Sequence, residues 1–311
     1  MPALFIWQEI SNFSFLILLL FLQRGGSDMP NKAIDAIENA ISYIEEHLDG
    51  KVDLESVADS VHYSKYHLHR MFTATVGMTL HDYVQRRQLT EAAKLLVFSN
   101  KPVLDIAMTC GYESQQAFTN AFRSMYKTPP AKYRENQVFY PLQLRFTLHK
   151  NKNGTAIGEQ SICIAERADI PAWMDLMRLA IDGYPAMNEE EYLTEITCRI
   201  DEKRALVLYN GDFLVGALAF STGPCCIDYM GIHPQYRNAG IQKMFLNALL
   251  TRFAPGEEIS MTTYREGDKA DTGHRDLLKQ LGFAERELLV EFGYPTQRFV
   301  LPLQNKEEED E

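Results

Sequence analysis

CGYESQQAFTNAFRSMYKTPPAKYR, residues 110–134, is the stretch whose reading decides the fold. Gly111 gives a turn, and Ser114 is placed to cap a helix by accepting from a backbone amide. Phe118, Phe122 and Met125 recur at helical spacing as an inward side, and Pro129-Pro130 predict a stop. The opposite side carries Gln115, Gln116, Thr119, Asn120 and Arg123. Glutamine and asparagine pair bidentately with adenine, and arginine with guanine or phosphate, so this polar side suits the edges of base pairs.

A weaker copy lies upstream. Leu54 to about Ser60 predicts a short helix, Val61-His62-Tyr63 a turn, and Ser64 the cap of a helix with Leu68, Met71 and Phe72 inward and Gly77 at its end. Its outer side offers Lys65, Tyr66, His67, His69 and Arg70. In the second copy Pro102 suits a first helical turn, with Val103, Ile106 and Ala107 as the short helix. Leu68 and Phe118, Phe72 and Phe122, and Tyr83 and Tyr133 are each fifty residues apart. Ala58 and Ala107 are forty-nine apart, so the second turn is one residue longer. Leu80 to Phe98 predicts a long helix acting as a rigid spacer, and Ile34, Ile37, Ile41, Ile44 and Leu48 predict an amphipathic helix stopped at Asp49-Gly50. Helix, tight turn, helix projects the second helix into the major groove, and two such units on a stiff spacer meet successive groove faces about 34 Å apart.

The charge distribution agrees. The chain carries a formal net charge of −11, which by itself argues against nucleic acid. Residues 64–134, however, hold ten Lys/Arg against four Asp/Glu, whereas residues 29–63 hold two against eight and residues from 135 onward eighteen against twenty-eight. A locally basic unit has the sign needed to meet phosphate. With 311 residues and 46% apolar composition, the chain can bury two cores and is not of the disordered class. The five cysteines, Cys110, Cys163, Cys198, Cys225 and Cys226, are odd in number, lack a CxxC and are set mostly among apolar residues. They imply neither a metal site nor a disulfide framework and fit a reducing cytoplasm.

The strings SKYHLHRMFTATVGMTLHDYVQRRQLTEAAKLL and IAMTCGYESQQAFTNAFRSMYKTPPAKYR resemble the AraC/XylS family of transcription regulators over about a hundred residues, closest to its branch of small multidrug and stress-response activators. The resemblance implies an all-α double helix-turn-helix domain over residues 29–136, with double-stranded promoter DNA and RNA polymerase as partners and a cytoplasmic location. By it the base-reading positions are Tyr66, Arg70, Gln115, Gln116, Thr119 and Asn120, and Lys65, Arg123 and Lys132 complete the expected DNA-binding set, Lys132 on phosphate. Asn120 stands where a basic residue is common in that branch, so no operator sequence transfers.

Ahead of this domain, the apolar run Phe13–Leu22 is short for a membrane span and has only Glu9 where a secretory signal wants basic residues. Arg24-Gly25-Gly26 can be encoded by a ribosome-binding-like run. Met29 is therefore the expected start and residues 1–28 a mis-assigned or disordered extension, with a membrane anchor as the alternative. After the domain, Val138, Tyr140, Leu142, Leu144, Phe146 and Leu148 alternate as a strand would, and KNKNGTAIGEQ is a linker, so residues 137–160 read as strand and linker.

Residues 161–304 read as an α/β domain. A strand over 161–165 precedes helices over 170–181, with Trp173, Leu176, Met177 and Ala180 inward, and over 189–200. A hairpin follows around Asn210-Gly211-Asp212, then a strand from Cys226 to Ile232. Arg237 to Gln242 joins that strand to a helix through Gly240, where backbone amides form an anion site, although an ordinary strand-to-helix turn has the same signature. ICIAERADIPAWMDLMRLA, GDFLVGALAFS, IDYMGIHPQYRNAGIQKMFLNAL and HRDLLKQLGF in this order resemble the GNAT acyltransferase superfamily over about 140 residues. The resemblance implies acetyl-CoA as cofactor, its pyrophosphate on Arg237, Asn238, Ala239, Gly240, Ile241 and Gln242, and its pantetheine on the backbone of Met230 and Ile232.

Two positions depart from that pattern. Gln242 replaces a glycine or alanine and crowds the phosphate position, and Leu278 stands where many members carry a tyrosine acid. Acyl transfer to an amine needs a base. Asp228 and Glu266 are the candidates, both also readable as solvated surface, with Tyr264 as a substitute acid and His233 shaping its loop. Glu291 to Pro295 predicts a turn, and residues 305–311 a solvated acidic tail. The expected whole is a multidomain regulator whose GNAT-like domain senses an acyl-CoA or small amine, or acetylates a substrate. The alternatives are a primary N-acetyltransferase of a small amine and a regulator whose second domain is inactive and structural.

Overall fold

The computed structural model describes residues 31–150, 157–158, 161–180, 188–291 and 293–303. The extension 1–28, most of the linker and the tail 305–311 lie outside the described residues. Among the described residues no helix is long and apolar enough to cross a membrane.

Among the described residues seven helices build the first half: α1 (Asn31–Glu46), α2 (Leu54–Ser60), α3 (Lys65–Val76), α4 (Leu80–Phe98), α5 (Val103–Thr109), α6 (Gln115–Tyr126) and α7 (Pro130–Asn136). The fifty-residue repeat is structural: α2-α3-α4 and α5-α6-α7 are equivalent, and Leu68, Phe72, Phe118 and Phe122 are all fully buried. Burying each such side chain contributes about 1.5–3 kcal/mol. Gly111 needs its glycine twice over, because its φ is +78° and a Cβ there would fall 2.6 Å from the Gly50 carbonyl oxygen. Pro129-Pro130 is not the stop predicted. α6 already ends at Lys127, whose left-handed φ of 57° closes the helix, and Pro130 opens α7, where its missing N–H costs nothing.

Residues 138–150 form no strand, contrary to the alternation. They run as an extended strap across the helices, burying Leu142, Phe146 and Leu148. Among the described residues no neighbouring strand supplies a ladder, and side chains take its place. Thr90 Oγ1 accepts from the Gln143 amide at 3.0 Å, Arg87 donates to the Gln143 carbonyl at 3.0 Å, and Tyr133 Oη accepts from the Tyr140 amide at 2.8 Å. Arg87 also forms a bidentate pair with Glu45 of α1, at 2.8 and 2.7 Å.

The second half is one mixed sheet with strand order β1-β2-β3-β4-β5-β7-β6. Its strands are β1 (Ile162–Ile164), β2 (Ala205–Asn210), β3 (Phe213–Ser221), β4 (Cys225–Ile232), β5 (Ile259–Tyr264), β6 (Ala284–Glu291) and β7 (Tyr294–Leu301). Helices α8 (Ile170–Ala180) and α9 (Glu189–Asp201) pack on one face through Trp173, Met177, Ile196 and Ile200. Helices α10 (Ile241–Ala248) and α11 (His274–Gln280) cover the other through Ile241, Phe245 and Leu278. β2 alternates between these cores, Ala205 and Val207 on the first side, Leu206 and Leu208 on the second. The predicted turn before Pro295 falls at Gly293, with Phe292 outside the described residues and Tyr294 already in β7. Cys163 and Cys198 are exposed, so only part of the cysteine set has the apolar setting expected.

β4 and β5 are the parallel pair of the sheet, and they pair only at Cys225 with Ile259 and Cys226 with Ser260. Beyond that the strands separate into a wedge.

Candidate nucleic-acid interface and ligand cavity

Each recognition helix starts at a serine cap: Ser64 accepts from the His67 amide at 3.3 Å, and Ser114 from the Ala117 amide at 3.1 Å. The caps fix which residues face outward. Lys65, Tyr66, Arg70, Gln115, Gln116, Asn120, Arg123 and Lys132 are exposed, and Thr119 is half-buried. Tyr66 is 75% exposed, a large aromatic left in solvent beside Lys65. Gln116 Nε2 donates to Asn120 Oδ1 at 3.1 Å, aligning two amides one turn apart on the outer stripe of α6. Two serine-capped helices, each following a short helix and a tight turn and set on the basic segment, define a double helix-turn-helix DNA reader.

Comparison with known proteins gives the family. A helix-turn-helix domain model matches residues 57–136. The multiple antibiotic resistance protein MarA of Escherichia coli K12 is 38% identical over 122 residues, 37% of this chain and 96% of that protein. The HTH-type transcriptional regulator YbfP of Bacillus subtilis 168 is 38% identical over 99 residues, 32% of this chain, which spans only 34% of YbfP. A crystal structure of a GNAT-family acetyltransferase from Bacillus cereus ATCC 10987 is similar to the chain at 17% identity and a TM-score of 0.36, over 46% of this chain and 96% of that one. The chain belongs to the AraC family of DNA-binding transcription regulators.

In the sheet half, the wedge between β4 and β5 opens into a cavity of about 430 Å³. Its walls include Met230, Asp228, Tyr229 and Tyr264, with Tyr192 and Arg199 of α9 opposite. Beyond Cys226 the β4 backbone has no β5 partner, so the side of Met230 and Ile232 facing the wedge is left open. Gly240, at φ +72°, begins α10, and nothing lies within 4 Å of where its Cβ would be. Gln242 folds back, buried, across the turn to donate to the Arg237 carbonyl at 3.3 Å. Of the expected cofactor-binding residues Met230 lines the cavity, whereas Ile232 and Arg237–Gln242 lie outside its lining, and the turn is open toward a phosphate at Gly240.

The acid–base candidates are scattered. Asp228 accepts from Arg199 Nε at 2.9 Å and from Ser221 Oγ at 3.1 Å. Tyr264 is buried at the cavity wall beside Tyr294 and His274. Glu266 is exposed on the loop after β5 and outside the cavity lining, because that loop turns away toward the helical half. His233 shapes its loop as expected, its Nδ1 accepting from the Gln235 amide at 3.3 Å. Burial, reinforced by His149 and Arg237, pushes its pKa down to about 3.

The sequence did not single out Tyr192 and Tyr229, whose phenols burial pushes well up. Trp173 Nε1 donates to Tyr192 Oη at 2.8 Å, whereas the buried Tyr229 hydroxyl has no partner among the described residues. Tyr192 sits four and eight residues before Ile196 and Ile200, a spacing that reads as helix core rather than cavity wall.

The two halves meet at the recognition helices. Asn238 Nδ2, in the turn after β4, donates to the Ala74 carbonyl near the end of α3 at 3.2 Å, and a Cβ on Gly77 would fall 2.9 Å from Arg237 Cδ. On the loop after β5, Asp268 Oδ1 takes Lys127 Nζ, at the end of α6, at 2.6 Å, while its Oδ2 accepts from Tyr294 Oη at 2.8 Å. Tyr294 also lines the cavity. Tyr264, Ala270 and Tyr294 belong to the same apolar cluster as Phe118 and Phe122, so α6 shares its core with the sheet half.

Proposed function

We propose that the chain is a transcription regulator whose sheet half binds an acyl-CoA and relays occupancy to the DNA reader, with promoter DNA and RNA polymerase as its macromolecular partners. One observation carries the reading: the loops leaving β4 and β5, the two strands that form the wedge, hold the C-terminal ends of α3 and α6 respectively. A ligand that alters the wedge changes the spacing of those loops and hence of the two recognition helices. Arg237–Gln242 would hold the pyrophosphate, and the open backbone of Met230 and Ile232 the pantetheine. Lys65, Tyr66, Arg70, Gln115, Gln116, Thr119, Asn120, Arg123 and Lys132 would meet the duplex.

Sensing is favoured over acyl transfer by the state of the cavity's carboxylates. Glu191 accepts from Asn188, Glu195 and Asp228 pair with Arg199, and Glu291 accepts from Thr296. A cation or donor on a carboxylate stabilises its ionised form and weakens it as a base, which supports sensing. The test is titration of acetyl-CoA into the full chain, followed by thiol release with a panel of amines. Saturable binding without release supports the sensor, release identifies an enzyme, and no binding removes both.

A further inference from the structure

Three arginines are buried among the described residues: Arg86, Arg87 and Arg275. Arg87 is paired with Glu45 and Glu91, and Arg275 with Glu285. Arg86 is the exception. It is 2% exposed, forms no ion pair among the described residues, and spends one nitrogen, Nη2, on the Ala270 carbonyl at 2.5 Å. Its Nη1 is buried with no partner. A guanidinium stays ionised at any ordinary pH, and a buried charge without a counter-ion is unfavourable.

Arg86 lines a second cavity, of about 290 Å³, between the halves. Thr73 of α3 lines it too, and its hydroxyl is also buried without a partner. Lys269, exposed on the loop after β5, stands at the same cavity. The two acids present have other work. Asp82 accepts from the Thr79 hydroxyl at 2.7 Å, and Asp271 caps α11 by accepting from the Gly273 and His274 amides at 2.9 and 2.8 Å. The cavity therefore offers a guanidinium nitrogen, a hydroxyl and an ammonium, with no acid paired to the buried cation. Its volume is near the lower end for small organic ligands.

We propose that this cavity binds a phosphate-bearing ligand, whose oxygens take Arg86 Nη1 and the Thr73 hydroxyl with Lys269 at the rim. Three donors suit a tetrahedral oxyanion better than a carboxylate, and a guanidinium is the favoured phosphate partner. The ligand would join α3, α4 and the loop after β5, tying a recognition helix to the sheet half. Gly77 lines this cavity and packs on Arg237, so the phosphate can belong to a coenzyme A molecule seated on the neighbouring turn or to a free phosphate ester. The site does not depend on the acyl-CoA reading, because inorganic phosphate alone tests it.

The test is thermal unfolding of the full chain in phosphate and in chloride of matched ionic strength, with titration of inorganic phosphate by calorimetry. Tm should rise with phosphate and keep rising with the logarithm of its concentration. Arg86→Met should remove that rise, read against the variant's own Tm in chloride because it also loses the bond to the Ala270 carbonyl. Lys269→Gln, at an exposed position that cannot unfold the protein, should weaken phosphate binding about two- to fivefold. Coenzyme A that displaces phosphate assigns the phosphate to that ligand, and additive effects assign it to a separate ester. Equal Tm in phosphate and chloride, or an unchanged phosphate response in Arg86→Met, overturns the proposal.

Discussion

Cutting the Lys127–Asp268 pair should loosen the hold of the sheet half on the second recognition helix. The two side chains are 29% and 6% exposed and 2.6 Å apart. At an effective dielectric of about 20 the gross attraction at that distance is roughly 6 kcal/mol. Desolvation of the buried Asp268 offsets most of it, and a net coupling of about 1–3 kcal/mol remains, above the value for an exposed pair. The perturbation is a double-mutant cycle of Lys127→Met and Asp268→Asn, read by urea unfolding. Methionine keeps the stem, and asparagine keeps an oxygen for the Ala270 amide while turning an NH2 toward Tyr294 Oη, which can accept from it. Both single variants should be destabilised, with the double variant less so than their sum. A coupling below about 0.3 kcal/mol would refute the idea that this pair joins the halves.

Other outcomes follow from the same geometry. Gln116→Ala should weaken specific duplex binding by about 1–3 kcal/mol at one base step, while Lys132→Ala should lower affinity for specific and random duplex alike and reduce the salt slope by about one; competition binding with both duplexes checks this. His233, held down to about 3 against an ordinary value near 6.5, takes up its proton in the unfolded chain first. Its contribution is therefore complete above about pH 6.5 and falls by up to about 1.4 kcal/mol per unit as pH drops toward 3. His149, also lowered by burial, adds to the loss in the same direction. His233→Asn, whose side-chain oxygen can replace the Nδ1 cap, should flatten that acid limb in denaturation curves. Gly111→Ala should cost more than about 1 kcal/mol, seen as a lower urea midpoint, because both its φ and the Gly50 carbonyl oppose a Cβ.

The repeat, the serine caps and the exposed polar side of each capped helix were legible because each is local. A cap and a 3.6-residue period need only neighbours in sequence, and Ser64, Ser114, Phe72 and Phe122 all act as their spacing predicts. The strap misled because alternation reports which side chains are buried, and Leu142, Phe146 and Leu148 are indeed buried, but not what the backbone pairs with. Its partners Tyr83, Arg87 and Thr90 lie fifty or more residues away. In the second half the strand order follows the chain as far as β5, yet the wedge depends on where β4 and β5 part, which no local pattern encodes. Glu266 and Tyr264, two residues apart, reach opposite surroundings because the strand ends between them. The contacts that join the halves, Lys127 with Asp268 and Asn238 with Ala74, span 141 and 164 residues, and their sequence surroundings look like ordinary helix ends and loops.

The most direct test of a ligand-coupled DNA reader is fluorescence anisotropy of a labelled duplex, selected from a randomised pool, titrated with the full chain with and without saturating acetyl-CoA. We expect the dissociation constant to change at least about fivefold, with the same factor recovered when acetyl-CoA is titrated into free and duplex-bound protein. Identical duplex affinity at a concentration where calorimetry shows acetyl-CoA bound would contradict the coupling and leave the two halves as independent binding modules.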